Sequence, residues 1–248
     1  MTAALAAQDP WWQPGTRHGD HVFSFGWLVG ELVRRITGQR LGSYLRQELA
    51  GPLGLDCHIG LPATCDARTA EFLPVPPPPP GELGFEEQLL RRAGPMTHQA
   101  FSNPPHTVAD INTGAWRAAE IPGRERPPHR PRAGPGVRRP GLRGAGGRHQ
   151  VLSPESIARA RTEQANGPDA VRFGWPTRFG LGLVLPPQGA GFGSASATAF
   201  GHPGDGGSIG FADPNAQVGF GYVVNQLHAG MPPDPRALRL IQALHGAL

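Results

Sequence analysis

The 248-residue chain contains no lysine, so all 23 of its basic residues are arginine. Arginine stays protonated at any ordinary pH, which excludes these side chains as general bases. The chain has two cysteines, Cys57 and Cys65, and no CxxC pattern, so we predict neither a disulfide framework nor a metal site. No apolar run approaches the roughly 20 residues of a membrane span. The stretch MTAALAAQDPWWQPG also lacks the pattern of a secretion signal, so we expect a cytoplasmic protein.

Positive charge is concentrated in one segment. Residues 123–148 hold eight arginines and one acidic residue, Glu125, so this segment carries +7 while the whole chain carries +4. A solvated loop is the simplest interpretation of GRERPPHRPRAGPGVRRP. A basic arm for nucleic acid is disfavoured because no aromatic residues alternate with the arginines. A third hypothesis is a reading-frame error, since GC-rich codons for these residues, read one nucleotide later, can encode an amphipathic helix there.

Apolar residues recur at helical spacing along much of the chain. In FSFGWLVGELVRRITG, Leu28, Leu32 and Ile36 share one face, and Gly38 is the expected C-cap. A second helix, over 41–55, is expected to stop at Gly51-Pro52. A polyproline loop follows at 72–82. Further helices are predicted over 85–93, 107–120 and 151–164, the last beginning at Ser153-Pro154, and from Asp234-Pro235 onwards.

The last third of the chain changes to short aromatic and β-branched segments. These segments are separated by Gly, Asn and Pro turns, and they predict neighbouring antiparallel strands over 178–186, 208–214 and 217–226. Helices followed by a strand meander and a final helix indicate an α+β fold.

Several of these stretches together resemble one family. PGTRHGDHVFSFGWLVGELVRRITG, LRQELAGPLGLD and FGHPGDGGSIGFADP with GFGYVVN are similar to the beta-lactamase-related serine hydrolases. That family includes class C beta-lactamases, D-alanyl-D-alanine carboxypeptidases and esterases. The resemblance covers most of residues 12–248. It implies a beta-lactamase/transpeptidase-like fold, in which helices flank an antiparallel sheet. We expect this fold to be incomplete at the N-terminus. The expected organisation is one partial domain with a mostly helical part at 1–122, an aberrant Arg/Pro/Gly-rich segment at 123–149 and a helix-strand-helix part at 150–248.

The family's third motif, Lys-Thr-Gly or His-x-Gly on an edge strand, is matched by His202-Pro203-Gly204. The resemblance implies that His202 presents a cationic or hydrogen-bonding group to the serine, and that Gly204 lets substrate lie against the strand. A phosphate-binding loop is disfavoured, because no helix N-terminus follows the glycines directly. An ordinary turn histidine remains the alternative.

The other two motifs depart from the family. Gly19-Asp20-His21 stands where the family has a Gly-Tyr-His sequence, so Asp20 replaces the tyrosine, and a carboxylate does not match a phenol in reach or pKa. Tyr44 and Tyr222 are expected in the core. The first motif, Ser-x-x-Lys, cannot occur without lysine, and its nearest imitation, Ser156-Ile157-Ala158-Arg159, lies in another helix. We therefore predict a chain without the family's nucleophile.

The resemblance implies hydrolysis of an ester or amide bond through an acyl-enzyme. The expected partner is a small-molecule ester, amide or beta-lactam-like substrate, with no cofactor, nucleic acid or membrane, and we predict that this chain alone is inactive. The alternatives are a non-catalytic pseudoenzyme or gene remnant that binds a ligand or partner, and an interaction protein that uses the basic arm and polyproline loop. Without the nucleophile helix, we also expect uncovered apolar faces. The sequence leaves the substrate and the oligomeric state open.

Overall fold

The computed structural model describes residues 1–92, 94–122, 151–187, 192–204, 206–229 and 233–248. The arginine-rich segment lies outside these residues, so the three hypotheses about it stay predictions. The chain forms two compact units. Unit 1 comprises Met1–Phe72, Leu89–Arg132 and Asp169–Gly174, and unit 2 comprises Leu73–Gln88, Ala133–Pro168 and Trp175–Leu248.

Unit 1 is helical in its described residues. Helix α2 (Ser24–Thr37) follows a short helix α1 (Thr2–Ala7), and it ends as predicted at Gly38, whose φ of 73° is left-handed. The N–H of Gly38 donates to the Arg34 carbonyl, which satisfies one of the last carbonyl groups of the helix. The predicted helix over 23–38 is therefore confirmed.

The second predicted helix continues past Gly51-Pro52. Helix α3 (Leu41–Tyr44) continues through a π-helical stretch (Leu45–Ala50) into helix α4 (Gly51–Leu53), and the chain leaves at Gly54, which has a φ of 64°. The prediction that Gly51-Pro52 ends it is wrong. In a regular α-helix, a proline ring clashes with the carbonyl group four residues earlier. The wider π-helical turn over Leu45–Ala50 changes the spacing between Pro52 and the carbonyl groups before it, so the helix continues.

Shorter helices complete the helical part of the chain. Helix α7 (Val108–Ile111) begins with a reciprocal cap, in which the Thr107 hydroxyl accepts from the Asp110 N–H while the Asp110 carboxylate accepts from the Thr107 N–H. The buried side chains of unit 1 include Phe23, Leu61 and Ile111. The helices in order are a 3₁₀ turn (Ala63–Arg68), α5 (Phe85–Arg92), α6 (Pro95–Ser102), α7 (Val108–Ile111) and α8 (Gly114–Ala118).

Unit 2 contains an antiparallel sheet of six strands within its described residues, in which each strand pairs with the strands next to it along the chain. This confirms the expected antiparallel neighbours. Helix α9 (Pro154–Ala160) precedes the sheet and begins as predicted, because the Ser153 hydroxyl accepts from the Ser156 N–H. The strands are β1 (Ala165–Pro168), β2 (Pro176–Phe179), β3 (Val184–Leu185), β4 (Phe200–Pro203), β5 (Ile209–Asp213) and β6 (Val218–Tyr222).

Two features of the sheet differ from the sequence prediction. The segment 178–186 is a hairpin rather than one strand, since the Gly180 N–H donates to the Leu183 carbonyl and Gly182 adopts a φ of 70°. Glycine tolerates this left-handed conformation and so reverses the chain there. Strand β1 has the sequence ANGP, which reads locally as a turn, and its strand conformation depends on pairing with β2.

The core of unit 2 lies between one sheet face and the last helix, α10 (Pro235–Gly246). Ile241 of α10 is fully buried against Phe211 of β5, Ala195 and Ala199. Within the described residues, no helix has both the length and the apolar character of a membrane span.

Candidate functional site

Strand β4 places His202 on the exposed face of the sheet. Gly201 pairs with Phe211 and His202 with Gly210 in the antiparallel register of β4 and β5. Phe211 is buried in the core of unit 2, so Gly201 points inward and His202 points to the opposite face. A Cβ at Gly201 would lie 2.1 Å from the Gly210 carbonyl oxygen, so this strand crossing tolerates only glycine.

The neighbours of His202 across the sheet have no side chains. Gly210 of β5 pairs with His202 and also with Gly221 of β6, so the three residues form one row across three strands. A Cβ on Gly210 or on Gly221 would meet no atom within 4 Å. The row therefore places one imidazole beside two glycines whose backbone is not covered by any side chain. We call these three residues the glycine row.

The hydrogen bonding of the His202 ring defines its tautomer. Nδ1 lies 2.7 Å from the Pro203 carbonyl oxygen, and a carbonyl only accepts, so Nδ1 carries the hydrogen. In the neutral ring Nε2 is then an acceptor, and in the protonated ring it is a donor. His202 can thus offer either a hydrogen-bond acceptor or a cationic donor on the exposed face.

The glycines after His202 form a tight connection between β4 and β5. The Gly204 N–H donates to the Ser208 carbonyl over 2.7 Å, and the His228 N–H donates to the Gly206 carbonyl over 2.8 Å. Gly207 has a φ of 119°, and a Cβ there would lie 2.0 Å from Asp234 Oδ2. From Ser208 the chain enters β5 rather than a helix, so no helix N-terminus follows these glycines.

The Asp234 carboxylate, which lies beside Gly207, is strongly held. Burial alone raises the pKa of Asp234, but hydrogen bonds from Arg236 outweigh it and hold the pKa below its ordinary value. Asp234 is also the N-cap of α10, where its carboxylate accepts from the Arg236 N–H.

The expectation that the third motif lies on an edge strand requires a correction. Strand β4 lies between β3 and β5 in the sheet order. It pairs with β3 only at Gly201, opposite Val184, because β3 has just two residues. His202 and Pro203 therefore extend beyond the β3 pairing while remaining paired with β5.

The second motif belongs to unit 1, where Asp20 takes part in an ion pair. Its carboxylate accepts a hydrogen bond from the Arg172 guanidinium, and both side chains are largely buried. Its N–H donates to the carboxylate of Asp169, which is itself fully buried. Sequence reasoning identified Asp20 but not these two partners, which lie about 150 positions later in the chain.

His21 is exposed and contacts a serine. Its Nδ1 lies 2.9 Å from the Ser24 hydroxyl at the first position of α2. This distance allows proton transfer between a hydroxyl and an imidazole. Ser156, the nearest sequence imitation of the nucleophile, contacts only another hydroxyl among its described side-chain contacts, that of Ser153 at 2.9 Å.

The predicted site residues thus divide between the two units. His202 and Gly204 lie at the end of β4 in unit 2, while Asp20 and His21 lie before α2 in unit 1. Tyr44 and Tyr222 are half-buried. Cys57 and Cys65 form no disulfide. No cluster of three or more His, Cys, Asp or Glu side chains suited to a metal ion occurs within the described parts of the chain.

The sheet, its α10 helix and the His-x-Gly strand define the class of the beta-lactamase/transpeptidase-like α+β proteins. The model of the family described as Beta-lactamase matches residues 1–244. The chain therefore belongs to the beta-lactamase family.

The chain spans about half to two thirds of the length of the relatives that it matches. The esterase/beta-lactamase LipL of Mycobacterium tuberculosis (strain ATCC 25618 / H37Rv) is 29% identical over 239 residues, which cover 84% of this chain and 48% of LipL. A solved family VIII carboxylesterase is 34% identical with a TM-score of 0.75, and a penicillin-binding protein homolog from Caulobacter crescentus is 30% identical with a TM-score of 0.76. Each of these two structural matches covers 100% of this chain but 63% of the solved chain.

Proposed function

We propose that this chain supplies the substrate-facing sheet of an ester- or amide-hydrolysing site, and that alone it binds such substrates without forming an acyl-enzyme. The observation that carries the proposal is the glycine row, in which His202 stands beside two open glycines on the exposed face. The likeness to a carboxylesterase and to an esterase/beta-lactamase supports the same class of substrate.

The row has the chemistry that a small acyl substrate requires. An acyl chain or a ring packs flat against Gly210 and Gly221, where no side chain intervenes. When the His202 ring is protonated, its Nε2–H donates a hydrogen bond to the carbonyl or the leaving-group oxygen beside it. A substrate held in this way presents its carbonyl carbon to a nucleophile from outside the row.

The chain itself does not complete that chemistry. A Ser-x-x-Lys nucleophile requires lysine, and the sequence has none. Asp20, at the tyrosine position of the second motif, has its carboxylate engaged by Arg172. Acyl transfer needs a nucleophile and its base together, so binding is the step that this chain performs.

Backbone NMR titration with benzylpenicillin and with a short-chain aryl ester tests the proposal. We expect shift changes concentrated at the amides of His202, Gly210 and Gly221. The change Gly210→Leu fills the open space and should weaken binding at least tenfold. The matched control is Gly246→Leu, because Gly246 in α10 also has no atom within 4 Å of its Cβ position.

Either of two outcomes contradicts the proposal. One is the absence of saturable shifts with both ligands. The other is equal binding by the Gly210→Leu and Gly246→Leu variants, which would place the ligand away from the glycine row.

A further inference from the structure

Residues 74–80, with the sequence PVPPPPP, form a segment that local sterics restrict to one conformation. Each residue from 75 to 79 precedes a proline, and the ring of that proline disfavours the helical region for the residue before it. Residues 74–79 accordingly belong to no helix or strand. These restraints favour a polyproline II helix, which has about three residues per turn and no internal hydrogen bonds. We call residues 74–80 the proline run.

Hydrogen bonds anchor the proline run to unit 2 at both of its ends. Before the run, the Leu73 N–H donates to the Asn225 carbonyl over 2.8 Å. After the run, the Phe85 N–H donates to the Ala229 carbonyl over 2.9 Å. Both ends are therefore attached to the same short segment that follows β6. Because the run is already extended and anchored, a partner that binds it has little additional chain to order.

The ridges of the proline run differ in exposure. In a helix with about three residues per turn, every third residue lies on the same ridge. Pro78 faces inward, since its Cγ lies 3.5 Å from the Cβ position of Gly84, and it is half-buried. The prolines of the other two ridges are exposed. They are Pro74, Pro77 and Pro80 on one ridge, and Pro76 and Pro79 on the other.

Exposed proline ridges have a specific chemical complement. A proline ring presents a compact apolar surface that packs on an aromatic ring. Proline also has no N–H, so the carbonyl groups of the run can only accept hydrogen bonds. A groove lined by aromatic side chains, whose Trp or Tyr groups also donate hydrogen bonds, complements both features, and polyproline II segments are recognised in such grooves.

We propose that the proline run is the docking segment for a protein domain whose aromatic-lined groove binds polyproline II helices. The two exposed ridges, which include Pro76 and Pro77, enter the groove while Pro78 stays packed against Gly84. This docking depends on the exposure and anchoring of the run and does not involve the glycine row. Binding at the run is therefore measured independently of substrate binding.

Isothermal titration calorimetry of the purified chain with three isolated domains, an SH3, a WW and an EVH1 domain, tests the docking. We expect saturable one-to-one binding to at least one of them. Pro77→Ala removes a ring from an exposed ridge and should weaken that binding about tenfold. The matched control is Pro78→Ala, which removes a proline from the same run but from its inner ridge. It should weaken binding by less than about threefold.

A second control and a measurement of the chain alone complete the test. Pro176→Ala, at an exposed proline of β2 in the same unit, should leave binding unchanged, and circular dichroism checks that each variant is folded. Binding to none of the three domains would overturn the proposal, as would equal losses in Pro77→Ala and Pro78→Ala. Light scattering of the chain alone should give a mass that Pro77→Ala does not change. A homodimer that Pro77→Ala dissociates would also overturn the proposal, because a second copy would then occupy the run.

Discussion

Replacing Asp213 with alanine is expected to lower the free energy of unfolding by about 3–5 kcal/mol, because several donors lose one buried acceptor together. Asp213 is 1% exposed and lies at the end of β5. Its carboxylate accepts from the Ser196 hydroxyl and N–H at 2.6 Å and 2.7 Å, and from the Asn215 and Ala216 N–H groups. His245 of α10 approaches it at 3.4 Å. One carboxylate thus connects the loop before β4, the β5–β6 turn and α10.

Urea denaturation followed by circular dichroism measures this effect. The variant Asp213→Asn keeps one carbonyl acceptor and should lose about half as much, which gives a folded protein even if the alanine variant does not fold. Glu155→Gln is the control, since Glu155 is an exposed carboxylate of the same unit and should change stability by less than about 0.5 kcal/mol. An alanine variant as stable as this control would contradict the predicted role of Asp213.

The same carboxylate predicts a pH dependence. Burial raises the pKa of Asp213, but hydrogen bonds from Ser196 and Ala216 outweigh it and hold the pKa below its ordinary value of 3.8. A lowered pKa in the folded state stabilises the protein above the ordinary pKa, and this contribution is lost as the pH falls through the folded-state pKa. The stability difference between the native chain and Asp213→Asn should be constant above about pH 5 and shrink below about pH 4.

Replacing Asp169 with alanine should destabilise unit 1 by a similar amount, about 3–5 kcal/mol. Asp169 is fully buried, and one carboxylate oxygen accepts from the N–H groups of Asp20, Val171 and Arg172 at 3.2, 2.8 and 2.8 Å. Without that oxygen, three backbone donors lose their acceptor. We expect faster amide exchange first at these three positions.

Hydrogen exchange read by NMR, together with urea denaturation, measures the effect. Asp169→Asn retains an acceptor oxygen and should exchange more slowly than the alanine variant at those amides. Asp9→Ala is the control, because Asp9 is exposed in the same unit. Unchanged exchange at Asp20 in the alanine variant would show that Asp169 does not hold the second-motif segment.

The sequence predicted those parts of the fold that depend only on residues close together along the chain. Gly38, Ser153 and Asp234 act as helix caps at the predicted positions, since capping needs only a local side chain or a local φ. The strands around Phe211 and Phe220 were likewise predicted from their aromatic character. Strand β1 was missed, because Asn166-Gly167 becomes strand only through pairing with β2.

The candidate site was predicted to a smaller extent, for the same physical reason. The motif alone identified His202, but its exposure and its two glycine neighbours follow from the register of three strands. The partner of Asp20 is 152 positions away, and no local pattern connects the two residues. Helical periodicity identified the apolar face of Leu28, Leu32 and Ile36, but periodicity does not determine which apolar face is covered, and these side chains are exposed.

We propose that this chain presents the substrate-facing strand of a beta-lactamase-family hydrolase but no acyl-accepting serine. Intact-protein mass spectrometry after incubation with a fluorophosphonate probe tests it most directly. We predict an unchanged mass for the folded chain. A stoichiometric adduct on a serine, absent from urea-unfolded protein, would contradict the claim. Ser24 is the first residue to map, because His21 lies 2.9 Å from its hydroxyl, and loss of the adduct in Ser24→Ala would identify it as the nucleophile.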